Sequence, residues 1–176
     1  MGPIAIADPV DLMPTGIDTT TIVERYQTMV YAIALTHSPT RNDADDVFQE
    51  VFLTYHRKNP PCEHEDHRKA WLITTTLNIA RRVAGSSWST KVVPVDASDL
   101  GDSSYRFDNH EYDELFTALR SIPHEYRTVI HLFYFEDQSV DEIAGVLDAK
   151  PGAIKMRLSR GRTMLREVLS KEKDHG

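Results

Sequence analysis

SVDEIAGVLDAKPGAIKMRLSRGRTMLREVL, residues Ser139 to Leu169, reads as two helices joined by a tight turn, the second carrying a basic face. Ser139 with Glu142 three residues on is a capping-box pattern, in which hydroxyl and carboxylate each take an orphan backbone N–H of the first turn. Val140, Ile143, Ala144 and Leu147 fall on one apolar stripe. The turn is Asp148-Ala149-Lys150, and Pro151 restarts a helix at its first position, where the missing N–H costs nothing. Ile154, Leu158, Gly161, Leu165, Val168 and Leu169 repeat at helical spacing and point inward. Lys155, Met156, Ser159, Arg160, Arg162 and Arg166 are left on the other side. This is the pattern of a helix-turn-helix, and long cationic side chains on its second helix suit the major groove of DNA. Taken alone, the same pair also fits an ordinary helical hairpin with a solvated basic face.

The charge of the whole chain runs the other way. Twenty Lys and Arg stand against 27 Asp and Glu among 176 residues, a formal charge of −7. An acidic total excludes a protein that coats nucleic acid by bulk attraction. The distribution is uneven, however: 150–173 holds eight Lys/Arg against two Glu, whereas 96–114 holds seven acids against one Arg. Local field, not net charge, decides where DNA could sit. One cysteine, Cys62, excludes an internal disulfide and fits a reducing compartment. The first residues, MGPIAIADPVDLMPTG, have neither the basic start nor the apolar run of a signal peptide, and Ile6 breaks a myristoylation pattern. No stretch has the apolar length of a membrane span, so a cytoplasmic protein without membrane insertion is expected.

In chain order, residues 1–16 read as a disordered tail with three prolines. Ile22, Val23, Tyr26, Met29, Val30, Ile33 and Ala34 make a first helix, ended by Ser38-Pro39. A second helix is expected to start at a cap Asn42, with Val47, Phe48, Val51, Phe52 and Tyr55 inward. Asp45, Asp46, Gln49 and Glu50 lie on its other side, and the residues alone support no more than a solvated face favourable to the helix dipole. Asn59 to His67 is predicted as a loop. Its Cys62, His64 and His67 are zinc-ligand types, but no fourth ligand stands at a familiar spacing, so no metal is expected. A third helix is predicted from about Arg68 to Ala84, with Trp71 in its core and Thr75, Asn78, Arg81 and Arg82 as its polar and cationic groups. Gly85 to Asn109 loses helical period and reads as a linker, extended at Val92 to Val95. Leu115, Leu119 and Ile122 mark another helix. Pro123 then opens one that buries Val129, Ile130, Leu132 and Phe133. The expected fold class is all-α: two small helical domains, 17–86 and 110–170, joined by a flexible acidic linker, 87–109.

Three segments in this order resemble the two-domain, extracytoplasmic-function group of bacterial RNA polymerase sigma factors, in the sigma-70 superfamily. DADDVFQEVFLTYHR resembles the family's acidic-then-apolar helix, KAWLITTTLNIARR its W-L-x-x-x-x-x-N-x-A-R segment, and ALRSIPHEYRTVIHLFYFEDQSVDEIAGVLDAKPGAIKMRLSRGRTML its carboxy-terminal domain. Three motifs in sequence are far more specific than one. The chain departs from the pattern at Lys150, where the family often has a capping Ser, at Asp148, where it has a turn Gly, and at GSSWSTK, which is less basic than the family's Arg-rich run.

The resemblance implies a non-catalytic specificity subunit with no cofactor. Its partners would be core RNA polymerase, promoter DNA and, as is common in the family, an anti-sigma factor. Asp45, Asp46, Gln49 and Glu50 would dock on the clamp of the largest polymerase subunit. Asn78, with Thr75 and the Asn59–His67 loop, would capture an unstacked base of the minus-ten element, while Arg81 and Arg82 hold the backbone. Lys155, Met156, Ser159 and Arg160 would meet base edges of the minus-thirty-five element, and Arg162 and Arg166 its phosphates. Two rivals compete with this reading. One is a helix-turn-helix regulator that dimerises on palindromic sites without polymerase. The other is a metal-dependent enzyme around Cys62, His64 and His67 with Glu63 or Glu65 as base, although the chain offers no phosphate loop, activated nucleophile or cofactor site.

Overall fold

Helix α1, Thr19–His37, is apolar along a stripe of Ile22, Tyr26, Met29, Val30, Ile33 and Ala34, all buried. It ends where Ser38 turns to extended backbone before Pro39. In this computed structural model, which describes residues 17–87 and 110–175, the stripe packs against α2, Arg41–Lys58, and α3, Glu65–Ser87. The expected tail, the linker and its extended Val92–Val95 stretch lie outside the described residues. All seven described elements are helices.

The start of α2 corrects the sequence reading. Thr40, not Asn42, is the cap: its hydroxyl accepts the Asp43 N–H at 3.1 Å and its own N–H donates to the Asp43 carboxylate at 3.2 Å. Asp43 is three residues from Thr40 and closes the reciprocal box, whereas Asn42 is already inside the first turn. The end of α2 is set by Asn59, left-handed at φ 37°, whose N–H returns to the Tyr55 carbonyl at 2.8 Å.

Helix α3 begins three residues earlier than expected. Glu65 and Asp66, read as loop, form its first turn, where carboxylates suit the positive end of the helix dipole. Glu65 is held there by Arg68 at 2.5 Å, Arg25 at 3.0 Å and the Tyr26 hydroxyl. Burial and the bond to Glu65 push the Tyr26 phenol well above its ordinary range. Arg68 is buried. Its Nε donates to the Tyr55 hydroxyl at 3.1 Å, so the start of α3 is tied to α1 and α2 together.

The second unit is α4, His110–Ser121, α5, His124–Tyr134, α6, Val140–Leu147, and α7, Pro151–Asp174. Pro123 caps α5 from just outside it rather than opening its first turn. Gly161 lets α7 approach α5 closely: a Cβ there would stand 3.0 Å from Ile130 Cγ1 and 3.3 Å from Tyr126 Cβ. Phe133, expected in the core, is only half-buried, as are Leu165, Val168 and Leu169 on the last turns of α7.

The two helical units are docked on each other. α1 meets α4 and α5, and α3 meets α6. Lys69 of α3 donates to the Glu136 carbonyl at 2.7 Å, and Trp71, predicted as core, lies half-buried in a cleft of about 400 Å³ with Thr74, Gln138 and Val146. The Trp71 and Tyr55 rings meet nearly at right angles, at a centroid distance of 5.5 Å. The indole packs on its own unit while also lining the seam, because a large amphipathic ring fits a half-open position.

Candidate nucleic-acid interface

The local sequence builds the helix-turn-helix in three steps. Ser139 N–H donates to the Glu142 carboxylate at 2.7 Å and Glu142 N–H to the Ser139 hydroxyl at 3.1 Å, the expected capping box. Asp148 then takes the left-handed conformation at φ 50° and ends α6, its N–H returning to the Ala144 carbonyl. A side chain with a short polar arm tolerates that region better than most. Lys150 caps α7 in extended backbone without a side-chain bond, and Pro151 supplies the first helical residue.

From Pro151 on, Ile154, Leu158 and Gly161 are buried. Lys155, Met156, Ser159, Arg160, Arg162 and Arg166 are all exposed, as their spacing predicts. Met156 keeps 53% of its surface. The six do not form one uniform set. Arg162 donates to the Tyr134 hydroxyl at 3.1 Å, and Arg162 and Arg166 border a groove of about 510 Å³ floored by Leu115, Ile130, Phe135 and Leu165. Tyr134, exposed and orienting Arg162, was not singled out from sequence. Its place at the end of α5, out of the apolar period, was the available signal.

On α3, Asn78, Arg81 and Arg82 are exposed and Thr75 is half-buried. Arg82 pairs with Glu50 of α2, so one residue expected to face promoter and one expected to face polymerase hold each other. Asp45 accepts a hydrogen bond from Tyr31 of α1 at 2.9 Å. Asp46 and Gln49 project from α2 as exposed groups, beside Leu53, which keeps 59% of its surface. The acidic face is therefore graded, with Asp45 and Glu50 tied to the neighbouring helices α1 and α3 and Asp46, Gln49 and Leu53 exposed.

The loop shrinks to residues 59–64. Cys62 is half-buried, and burial with the nearby Glu65 pushes its thiol up against the opposing pull of Arg68. Glu63, His64 and His67 are exposed, the two imidazoles edge-on at 5.2 Å. Among the described residues, no three His, Cys, Asp or Glu side chains are gathered to hold a metal ion.

A bundle with an outward acidic helix, followed by a second bundle that ends in a helix-turn-helix with a cationic second helix, defines an all-helical protein of two units. Two family models match it, sigma-70 region 2 over residues 22–90 and sigma-70 region 4 over 112–165. The chain is 30% identical over 135 residues to RNA polymerase sigma factor CarQ of Myxococcus xanthus, covering 72% of this chain and 74% of that one. It is 29% identical over 157 residues to ECF RNA polymerase sigma factor SigE of Mycolicibacterium smegmatis, covering 85% of this chain but only 61% of the longer relative. Its fold matches the sigma factor RpoE, solved with the anti-sigma factor NepR from Bartonella quintana, at a TM-score of 0.69 and 22% identity, over 86% of this chain and 96% of that one. The chain belongs to the sigma-70 family of RNA polymerase sigma factors, in its extracytoplasmic-function group.

Proposed function

We propose that this protein is an alternative sigma factor that joins core RNA polymerase through α2 and carries it to promoters read by α3 and α7. The observation that carries the proposal is the pairing of two outward faces on separate units: Asp46 and Gln49 on α2, and Lys155, Met156, Ser159 and Arg160 on α7. Its role is to orient and select, without catalysis and without a cofactor. Among the described residues no helix is long and apolar enough to cross a membrane, and the role places the protein in the cytoplasm beside the polymerase.

Exposed carboxylates facing a basic partner give orientation and on-rate more than affinity. Asp46 and Gln49 therefore steer the encounter with the clamp, and Leu53 supplies the apolar contact at its centre. Asp45 and Glu50 keep the helix in place until the partner arrives, Glu50 by its pair with Arg82. On α3, Asn78 reads the unstacked minus-ten base, with Thr75 and the 59–64 loop around it and Arg81 and Arg82 on the backbone. An anti-sigma factor is proposed as a further partner, supported by the RpoE neighbour, itself solved with one.

The docked arrangement cannot be the promoter-bound one. Elements centred 10 and 35 base pairs upstream lie about 85 Å apart on B-form DNA. Here α7 packs on α6 and α6 on α3, so the two reading helices are only two packing layers, about 20 Å, apart. The units must separate before both elements are read.

Charge reversal at Asp46 tests the polymerase contact. Asp46→Arg should leave thermal stability within about 0.5 kcal/mol, because the site is exposed, while weakening core-polymerase binding at least about tenfold in a fluorescence-anisotropy titration. Unchanged binding would remove α2 from the proposal. A monomer in sedimentation favours this reading over a palindrome-binding dimer.

A further inference from the structure

The seam between α1 and α5 buries an unusual set of polar groups. Thr36, His37 and Ser38 at the end of α1 face Thr128 and His131 of α5, all of them buried. Arg127 spans both units. It donates to the Thr36 carbonyl at 3.1 Å and to the Leu119, Arg120 and Ile122 carbonyls at 2.9 to 3.0 Å. Arg120 adds bonds to the Ser38 and Pro39 carbonyls, both at 2.9 Å. Two cations of the second unit thus cap the negative end of α1. Among the described residues, the Ser38 hydroxyl, also buried, has no hydrogen-bond partner. A seam built this way is easier to part than an apolar one, since its groups find water when released.

We propose that this seam is an acid-released latch: His37 keeps the two units docked while its ring is neutral and releases them when the ring takes up a proton. Its Nδ1 faces the Ile33 carbonyl at 2.9 Å and so carries the hydrogen, while Nε2 stands 2.9 Å from the Thr128 hydroxyl, whose one hydrogen goes either to a bare Nε2 or to the His124 carbonyl. A second proton would sit on Nε2. The Thr128 hydroxyl could then turn to the His124 carbonyl, 2.9 Å away, so hydrogen bonding alone tolerates either state. Charge decides.

The groups around His37 are cationic or can become so. From α5 come His124, with its ring at 5.1 Å, His131 at 6.2 Å, and Arg127; Arg120 comes from α4, and Arg81 of α3 bears on His124. The acid in the cluster, Glu136, is bonded to His131 at 3.1 Å, and His131 in turn meets the Thr36 hydroxyl at 3.1 Å. Burial first, then the fields of His131, His124 and Arg127, hold the His37 ring well below its ordinary protonation range. Undocked, the ring is in water and regains an ordinary value near 6.5. The proton therefore prefers the open form. Docking is fully supported above about pH 6.5 and lost as pH falls from there toward the depressed value, about tenfold in the docked-to-open ratio per pH unit.

The test uses the full chain carrying Cys62→Ser, with dyes at Arg57→Cys and Glu167→Cys, both exposed. Energy transfer and far-ultraviolet circular dichroism are followed from about pH 8 to about pH 5. The latch predicts that transfer falls below about pH 6.5 while helicity holds, and that His37→Gln keeps the high-transfer form at the acid end. Constant transfer, an unchanged transition in His37→Gln, or loss of helicity together with transfer would each overturn it. If His37→Gln does not fold, the imidazole proton resonances of the otherwise unmodified chain decide: the His37 signal must titrate in step with the fall in transfer, and a signal out of step contradicts the latch. None of these readouts requires polymerase or promoter, so failure here leaves the proposed function standing.

Discussion

Arg160 and Arg166 both project from α7, about one and two-thirds turns apart, and on the proposed reading their different surroundings give them different work. Arg160 shares its exposed side with Met156 and Ser159, so its fork can meet a guanine edge, whereas Arg166 borders the groove beside Arg162, to the side of that patch. Arg160→Ala should cost about 1–3 kcal/mol in promoter affinity and relax the preference at one base pair. Arg166→Ala should weaken all sequences alike and lower the slope of log affinity against log salt by about 1. Titrations on promoters varied one position at a time, at several salt concentrations, separate the two; equal losses on every sequence for both would contradict the assignment. The exposure of all six α7 candidates was legible in the sequence because a 3.6-residue period sorts side chains without knowledge of the partner. Pairing was not. Glu50 and Arg82 meet across 32 residues, and nothing in a linear pattern separates Arg127, spent on four backbone carbonyls, from an arginine free to hold DNA.

The helix starts decide how firmly the reading elements are presented. Ser139 closes its box with Glu142, so Ser139→Ala should cost about 1 kcal/mol. Lys150 makes no cap bond, so Lys150→Ser should recover about 0.5–1 kcal/mol at the first turn of α7. Urea unfolding at neutral pH checks both. A loss on Lys150→Ser would mean that the lysine contributes something other than a missing cap. Element existence was legible throughout, since each apolar stripe found in the sequence is a helix. Boundaries were less so, for a chemical reason: carboxylates serve both as loop solubilisers and as first-turn residues. The Glu65-Asp66 pair was read as the former and acts as the latter, and Asp43 closes a box that a search for Glu or Gln at the third position passes over.

At the scale of the molecule, the sequence indicated two units but not that they dock. Docking rests on Lys69, Arg120 and Arg127 reaching backbone carbonyls of the other unit, and carbonyls are present at every residue, so sequence carries no mark of which are used. The consequence is functional. On the proposed reading, a chain held closed exposes α2 and α7 yet cannot span two promoter elements about 85 Å apart, so reading both would require opening, whether by polymerase, by DNA or by protonation of the seam. The acidic total charge agrees with the proposed division, since a net negative chain is not drawn to bulk DNA by its overall charge. Run-off transcription with purified core polymerase on a library of genomic fragments, with and without the chain, tests this most directly. Discrete start sites should appear only on addition of the chain, each preceded by shared minus-ten and minus-thirty-five elements; no new start site, with core enzyme failing to retain the chain, would contradict a sigma-factor role.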